Sequence, residues 1–511
     1  MARASVPAVS RSGGFLDVIE RIGNKVPHPA VIFLILLVAV IVLSHLLYLL
    51  GTSVTYETFD LETDKLVSNT VAVNSLLTVD GIRFLFTSMI RNFMGFTPVG
   101  VILVAMIGVG LAEQAGLVTA LIKKIVSVAP AWSLTYIIVG VGVLSSIAAD
   151  AGYLVLIPLG AAAFLTVGRH PIAGIAAAFA GVAAVFLVNV IITPTDGILT
   201  EITNDAIHLL DPSTSIDLAA NLYFSIACSV LLTVVCVLVT ERVVEPRLGP
   251  YRGEAQNHAD AGTSYAEAKG LRWALWGFLA VAALIALLTV PQGAPLRNPV
   301  TGAIGGTSPF MGSLIVIIML VFLVIGLAYG VAAGTIRDAS DAINAIVKTF
   351  AGLSGMIFLL LIISQFIAYF NYSNLATIAA VNLANLLKDA NLDTLVLLVG
   401  FVVVVGVLDL IITGAVPKWA IFAPIFVPLM MQLNVGPEAV LAAYRVGDSP
   451  VNAITPLNVY FGMVVGFCQL YDKDAGVGTV VAMMLPYVGA LFVVWILMLV
   501  GWYLFALPFG P

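Results

Sequence analysis

Asn189-Val190-Ile191-Ile192-Thr193-Pro194-Thr195-Asp196-Gly197 and Asn452-Ala453-Ile454-Thr455-Pro456-Leu457-Asn458 are the stretches that decide how this chain folds. Each sits inside an apolar run, and each sets an Asn shortly before Ile-Thr-Pro. Proline removes a backbone donor and clashes with the preceding turn, so an apolar helix is kinked there or unwinds and frees carbonyls and amides. Just before each motif lies an apolar stretch too long for one membrane crossing. The first, 132–166, is interrupted at Ser145-Ser146-Ile147-Ala148-Ala149-Asp150-Ala151-Gly152, and the second, 394–431, at Thr413-Gly414-Ala415-Val416-Pro417-Lys418-Trp419. Two readings remain for each: a pair of ordinary antiparallel spans, or a re-entrant hairpin whose turn is buried in protein or lines a wet cavity. A hairpin followed by a broken span, twice over, is the pattern of an inverted repeat with a binding site between its halves.

Composition sets the solvent. Of 511 residues, 61% are hydrophobic and 10% charged, far from the roughly one-quarter charged of a soluble chain. A mean hydropathy of +1.09 over this length means lipid surrounds most of the chain. Net charge is −6, and no basic run exceeds Lys123-Lys124, so nucleic acid is excluded as a partner. Cys228, Cys236 and Cys468 have no C-x-x-C spacing, and the five histidines are scattered, so no zinc site or disulfide scaffold is indicated. There is no G-x-x-x-x-G-K-[ST] and no H-E-x-x-H, which removes an internal ATPase and a zinc protease. An intramembrane enzyme would need a catalytic cluster that the scattered histidines do not offer; a channel is the other rival class. No cofactor is expected beyond H⁺ or Na⁺ as coupling ion.

Besides the two interrupted stretches, nine runs are long enough to span: 28–50, 96–115, 171–200, 218–240, 272–291, 311–334, 350–370, 445–470 and 478–507. The first is too long for a signal-peptide core and is expected to stay as an anchor. With the N-terminus inside and both interrupted stretches folded as hairpins, inside segments carry 15 of the 22 Lys and Arg, and outside segments carry 5. That bias favours the orientation and makes the hairpins open from opposite sides. The chain then divides into a cytoplasmic N-terminus (1–27), N-terminal spans (28–131), first hairpin and broken helix (132–200), connecting spans with a cytoplasmic loop at 241–271 (201–393), second hairpin and broken helix (394–470), and a last span (471–511). The expected fold is an all-α membrane protein of nine transmembrane helices plus two oppositely oriented re-entrant hairpins.

Ionisable residues inside spans are costly and mark cavities, partners or pathways. Arg445 and Asp448 are three apart on one helical face and can pair; alternatively Arg445 faces an anionic substrate, since its planar fork suits a carboxylate. Asp196, beside the first break, and Asp150, in the first hairpin tip, have no basic neighbour within four residues. Each is a candidate proton carrier, or a ligand for Na⁺ held by freed carbonyls at the broken helices, together with Thr193 and Thr455. Asp150 has the further reading of a wetted tip residue. Asn189 and Asn452 are candidates for substrate contact. Trp419 is an interface anchor or a stacking face for an aromatic ligand. Asp409 either caps a helix or faces water.

Gly23-Asn24-Lys25-Val26-Pro27-His28-Pro29, Gly168-Arg169-His170-Pro171, Glu245-Pro246-Arg247-Leu248-Gly249-Pro250-Tyr251, Ala423-Pro424-Ile425-Phe426-Val427-Pro428, Tyr444 to Pro456 and Lys473-Asp474-Ala475-Gly476-Val477-Gly478-Thr479 resemble, in order and along the whole chain, the p-aminobenzoyl-glutamate transporter (AbgT) family. The resemblance implies a bowl-shaped homodimer in the bacterial inner membrane, with a scaffold and a transport core. It implies ion-coupled secondary transport of p-aminobenzoyl-glutamate-like aromatic carboxylates, or export of sulfonamide antimetabolites, with a related dicarboxylate transporter as the alternative. It places the family's cavity residues on Asp196, Trp419, Pro437, Arg445, Asp448 and Pro456. The first tip departs from the family's usual Ser-Asn-Thr, reading Ser145-Ser146-Ile147, and Val416 stands where a serine can occur.

Overall fold

The computed structural model describes residues 29–60, 65–147, 152–251, 264–304, 308–389, 393–410 and 414–511. Asp150 lies outside these residues. The described chain is nearly all helical, and its one sheet is an antiparallel ribbon, Ser53–Asp60 with Lys65–Ala72, which the apolar-run reading did not anticipate. Seven of the expected spans appear as helices long and apolar enough to cross a membrane: Pro29–Leu49, Thr97–Gln114, Leu222–Leu248, Tyr265–Thr289, Leu314–Ala333, Ser354–Tyr372 and Val477–Leu504. Tyr265–Thr289 begins earlier than the expected 272, and the preceding helix continues to Leu248, so the connection drawn at 241–271 is shorter. Leu117–Ser127 bends by 120° into Ala131–Ile147 across a break that holds Pro130.

The other two expected spans are broken. Pro171–Phe179 runs through a wider turn, Ala180–Ala184, loses helical form over 185–193 and resumes as Pro194–Ile207, so the boundary drawn at 200 falls inside a helix. Pro437–Asp448 passes through a tight turn, Pro450–Ala453, and resumes as Phe461–Gln469, starting before the expected 445. Of the interrupted stretches, the first gives Leu134–Leu144 and Ile157–Thr166 on either side of its tip, and the second gives Thr394–Asp409 and Ala415–Gln432. Ala415–Gln432, at 18 residues, extends about 27 Å and is by itself long and apolar enough to cross.

The arms of each stretch pack on their broken span more than on each other. Both crossings use glycine. A Cβ on Gly142 would stand 3.0 Å from the Cα of Gly181, and one on Gly447 would stand 2.6 Å from the Val402 carbonyl, so backbones meet where no side chain fits. The later halves of the broken spans reach across: Pro194–Ile207 packs on Ala415–Gln432, and Phe461–Gln469 on Ile157–Thr166, where Tyr153 and Tyr460 stack at 4.2 Å. Thr97–Gln114, Tyr265–Thr289, Leu314–Ala333 and Ala339–Gly352 form a separate packed group beside this core. Much of Tyr265–Thr289 stays exposed, with Trp273, Leu275 and Trp276 outward, as a lipid-facing helix requires.

Candidate functional site

The first break is held by side chains rather than by helix bonds. Pro194 opens its helix, where a missing donor costs nothing, and Thr193 caps it. The Thr193 hydroxyl accepts from the Asp196 amide at 3.3 Å, while Asp196 Oδ2 accepts from the Thr193 amide and hydroxyl, both at 2.7 Å. Asn189 ties the break to the first tip: its Nδ2 reaches Ser146 Oγ at 2.9 Å and the Val143 and Leu144 carbonyls at 3.2 and 3.3 Å. Its backbone amide donates to Ser225 Oγ and its carbonyl accepts from the same hydroxyl, each at 2.8 Å. Unwound backbone at membrane depth has to be satisfied this way.

Arg445 crosses from the other repeat to the same place. Its Nη1 donates to the Leu187 carbonyl at 2.9 Å and to Asp196 Oδ1 at 2.5 Å. The Arg445–Asp448 pair that the spacing allows does not form, and Asp196 has a partner 249 residues away. Of the carbonyls that the first break takes out of the helix ladder, that of Leu187 accepts from Arg445 and that of Asn189 from Ser225. Ser449 completes the junction, donating to the Arg445 carbonyl at 2.9 Å and accepting from the Leu187 amide at 3.2 Å. In the second break Asn452 donates to the Asp448 carbonyl at 3.1 Å, and Thr455 Oγ1 lies 3.4 Å from the Leu410 carbonyl at the end of the first arm. Pro456 sits in the non-helical segment that follows. Pro437 starts its helix about 16 Å along from Asp448, and its place there is to open that helix.

Asp448 pairs instead with Lys418. The ammonium lies 2.6 Å from Asp448 Oδ1 and also contacts Asp409 Oδ1, and all three side chains are fully buried. Local sequence spacing does not mark Lys418 or Asp409 as a site residue, and Asp409 neither caps a helix nor faces water. The signal they carry is depth instead: two ionisable residues within the membrane, nine apart, flanking a tip. Trp419 is also fully buried, with its indole N–H donating to the Leu199 carbonyl at 3.1 Å and reaching Thr203 Oγ1 at 3.0 Å, and its ring tilted on Tyr444 at 4.5 Å. In this conformation it docks the second arm onto Pro194–Ile207, and it is neither an interface anchor nor a free stacking face.

A cavity of about 420 Å³ joins these parts. Ser146 and Ile147 reach it from the first tip, Gly414 to Pro417 from the second, and Phe186 and Thr195 from either end of the first break, while Glu113 and Lys348 face it from the neighbouring helix group. Its size suits a small organic ligand. Asp196 and Arg445 lie behind this wall, beside smaller pockets that also touch Ser146, Asn189 and Ser225. Among the described residues no group of His, Cys, Asp and Glu could hold a metal ion.

The AbgT putative transporter family matches residues 14–511. The p-aminobenzoyl-glutamate transport protein of Escherichia coli K12 is 36% identical over 511 residues, covering 100% of this chain and 99% of that protein. The crystal structure of the YdaH transporter of Alcanivorax borkumensis, described as having an unusual topology, superposes with a TM-score of 0.89 at 39% identity, covering 95% of this chain and 100% of that one. MtrF of Neisseria gonorrhoeae, described as illuminating a class of antimetabolite efflux pumps, superposes with a TM-score of 0.90 at 37% identity, covering 96% and 97%.

Proposed function

The chain belongs to the AbgT transporter family, is a membrane transporter and not an enzyme, and from that premise we propose that it moves p-aminobenzoyl-glutamate-like aromatic carboxylates across the bacterial inner membrane, as an ion-coupled homodimer with its N-terminus in the cytoplasm. The observation that carries the pathway is the cavity reached by both hairpin tips and the first break at once. Movement of either tip changes its walls, which is what alternating access at a repeat interface requires.

The Arg445–Asp196 pair supplies the exchange chemistry. Arg445 is the cation that a substrate carboxylate would seek, and its guanidinium is already held by Asp196 and Leu187. A proton or Na⁺ taken up by Asp196 loosens that hold and lets Arg445 turn to the substrate, so ion and substrate trade places on one guanidinium. A second reading, export of an antimetabolite such as a sulfonamide, is supported by a likeness to MtrF as strong as that to the E. coli protein.

Counterflow of labelled p-aminobenzoyl-glutamate and of a sulfonamide in proteoliposomes, with H⁺ and Na⁺ gradients imposed in turn, tests both. Saturable exchange of the first, driven by one of the gradients, is expected. Exchange of the sulfonamide alone transfers the proposal to the export reading. Flux without saturation or exchange means a channel and refutes both.

A further inference from the structure

We propose that Asp409, Lys418, Asp448 and Tyr444 form a second ion-coupling site, which binds and releases one proton as the arms of the second hairpin move against their broken span. The inference rests on the transport reading above and adds a site distinct from the Arg445–Asp196 pair.

Three structural elements meet in the cluster. Asp409 closes the Thr394–Asp409 arm, Lys418 lies in the first turns of Ala415–Gln432, and Asp448 ends the first half of the broken span. All three side chains have no exposure, and Tyr444, also fully buried, lies between tip and span. Charge is the first observation. Two carboxylates face one ammonium, and the next cation, Arg445, is committed to Asp196. With every group ionised the cluster holds one unbalanced negative charge out of reach of water, and Asp409 Oδ2 has no hydrogen-bond partner. One added proton neutralises it.

The second observation is a count of hydrogens. The Tyr444 hydroxyl lies 2.6 Å from the Ala415 carbonyl and 2.8 Å from Asp448 Oδ1. A phenol has one hydrogen, and a carbonyl can only accept. If the phenol donates to Ala415, its contact with Asp448 needs a hydrogen from the carboxyl. The network is thus one hydrogen short, as the charge is one negative in excess. The proton belongs to the linked carboxyls and not to one oxygen.

Other ionisable groups on the surrounding helices do not supply this balance. On Pro194–Ile207, Asp196 is taken by Arg445, and neither Glu201 nor Asp205 forms an ion pair with Lys418. On Val477–Leu504, Tyr487 is bonded to Thr240. Among the described residues no other cation forms an ion pair with Asp409 or Asp448. Because both arms and the broken span contribute, parting them separates Lys418 from a carboxylate and admits water. The protonated cluster favours the closed arrangement and the anionic cluster the opened one, so the proton biases the movement.

The test uses the full-length protein in proteoliposomes. A gradient of one pH unit supports about a tenfold difference in substrate distribution per proton carried. Asp409→Asn neutralises the cluster for good, so it should lose about that tenfold factor while counterflow falls far less, and Asp409→Glu should restore it. Infrared difference spectra give a readout independent of transport: at neutral pH the native protein should show the carbonyl band of a buried neutral carboxylic acid, lost in Asp409→Asn or Asp448→Asn and shifted in Tyr444→Phe. An unaltered pH-driven distribution in Asp409→Asn, or a native spectrum without a band sensitive to these changes, overturns the inference. If Asp196→Asn alone abolishes proton drive, the transport reading survives and this site does not. Absence of counterflow in the native protein defeats the transport reading first.

Discussion

Breaking the Arg445–Asp196 pair should lower stability by an amount that a double-mutant cycle can read. The Arg445 side chain is 3% exposed and that of Asp196 16%, so water reaches the carboxylate only in part and the guanidinium hardly at all. Removing one partner of a buried pair costs about 3–5 kcal/mol, and the residual exposure of Asp196 places this pair near about 3. Asp196→Asn leaves the guanidinium without its anion but keeps an acceptor for the Thr193 cap, whereas Asp196→Ala also loses that cap, worth about a further 1 kcal/mol. Arg445→Met strands the carboxylate and the Leu187 carbonyl together. Because the two single changes remove the same interaction, the double change should cost little more than either, leaving a coupling of about 2–3 kcal/mol. The assay is a double-mutant cycle of unfolding in detergent, repeated as binding of p-aminobenzoyl-glutamate. A coupling below about 0.5 kcal/mol in the unfolding cycle would refute the claim that these residues hold the two repeats together.

Trp419→Phe keeps an aromatic face but loses the indole N–H, so stability should fall by about 1–2 kcal/mol with ligand affinity little changed. A large loss of affinity with native melting would show instead that the ring meets substrate. Gly447→Ala, whose Cβ would press on the Val402 carbonyl, should cost about 1–3 kcal/mol, whereas Gly400→Ala on the facing arm meets nothing. Equal melting of the two variants would remove the close crossing from the account. His170, in the loop before Pro171–Phe179, accepts from the Ile172 amide through Nδ1; burial lowers its pKa below the ordinary 6.5, against the opposing pull of Glu245 and Asp472. Its folded state favours the neutral ring, so stability is complete above about pH 6.5 and declines as pH falls through the lower folded value. His170→Asn keeps a cap acceptor that does not titrate, and should flatten this acid loss in melting curves taken from pH 7.5 to pH 5; an unchanged slope would exclude His170 as its source.

What was legible in the sequence was whatever depends on local chemistry. Thr193-Pro194 and Thr455-Pro456 mark breaks because proline's missing donor and threonine's cap act over three or four residues. Apolar length gave seven spans to within a few residues at most ends. The partners of the charges were not legible. Arg445 and Asp448 share a helical face, and spacing alone pairs them, but tertiary packing brings Asp196 to the first and Lys418 to the second. The two acids that hold Lys418 lie on other helices, so no local spacing points to them. The direction of Trp419 is set by Leu199 and Thr203, more than 200 residues away. The ribbon at Ser53–Asp60 and Lys65–Ala72 escaped a reading built on apolar runs because its residues are mixed in polarity.

The cavity between the two tips is the central claim, and substrate protection tests it most directly. Cys228, Cys236 and Cys468 are all buried, so a thiol placed at Ser146→Cys on the first tip or Ala415→Cys on the second can be read against a quiet background. A small membrane-impermeant thiol reagent should modify both positions, saturating p-aminobenzoyl-glutamate should slow both reactions alike, and the modified proteins should lose counterflow. Equal labelling rates with and without substrate at both tips, with counterflow intact after modification, would contradict the account.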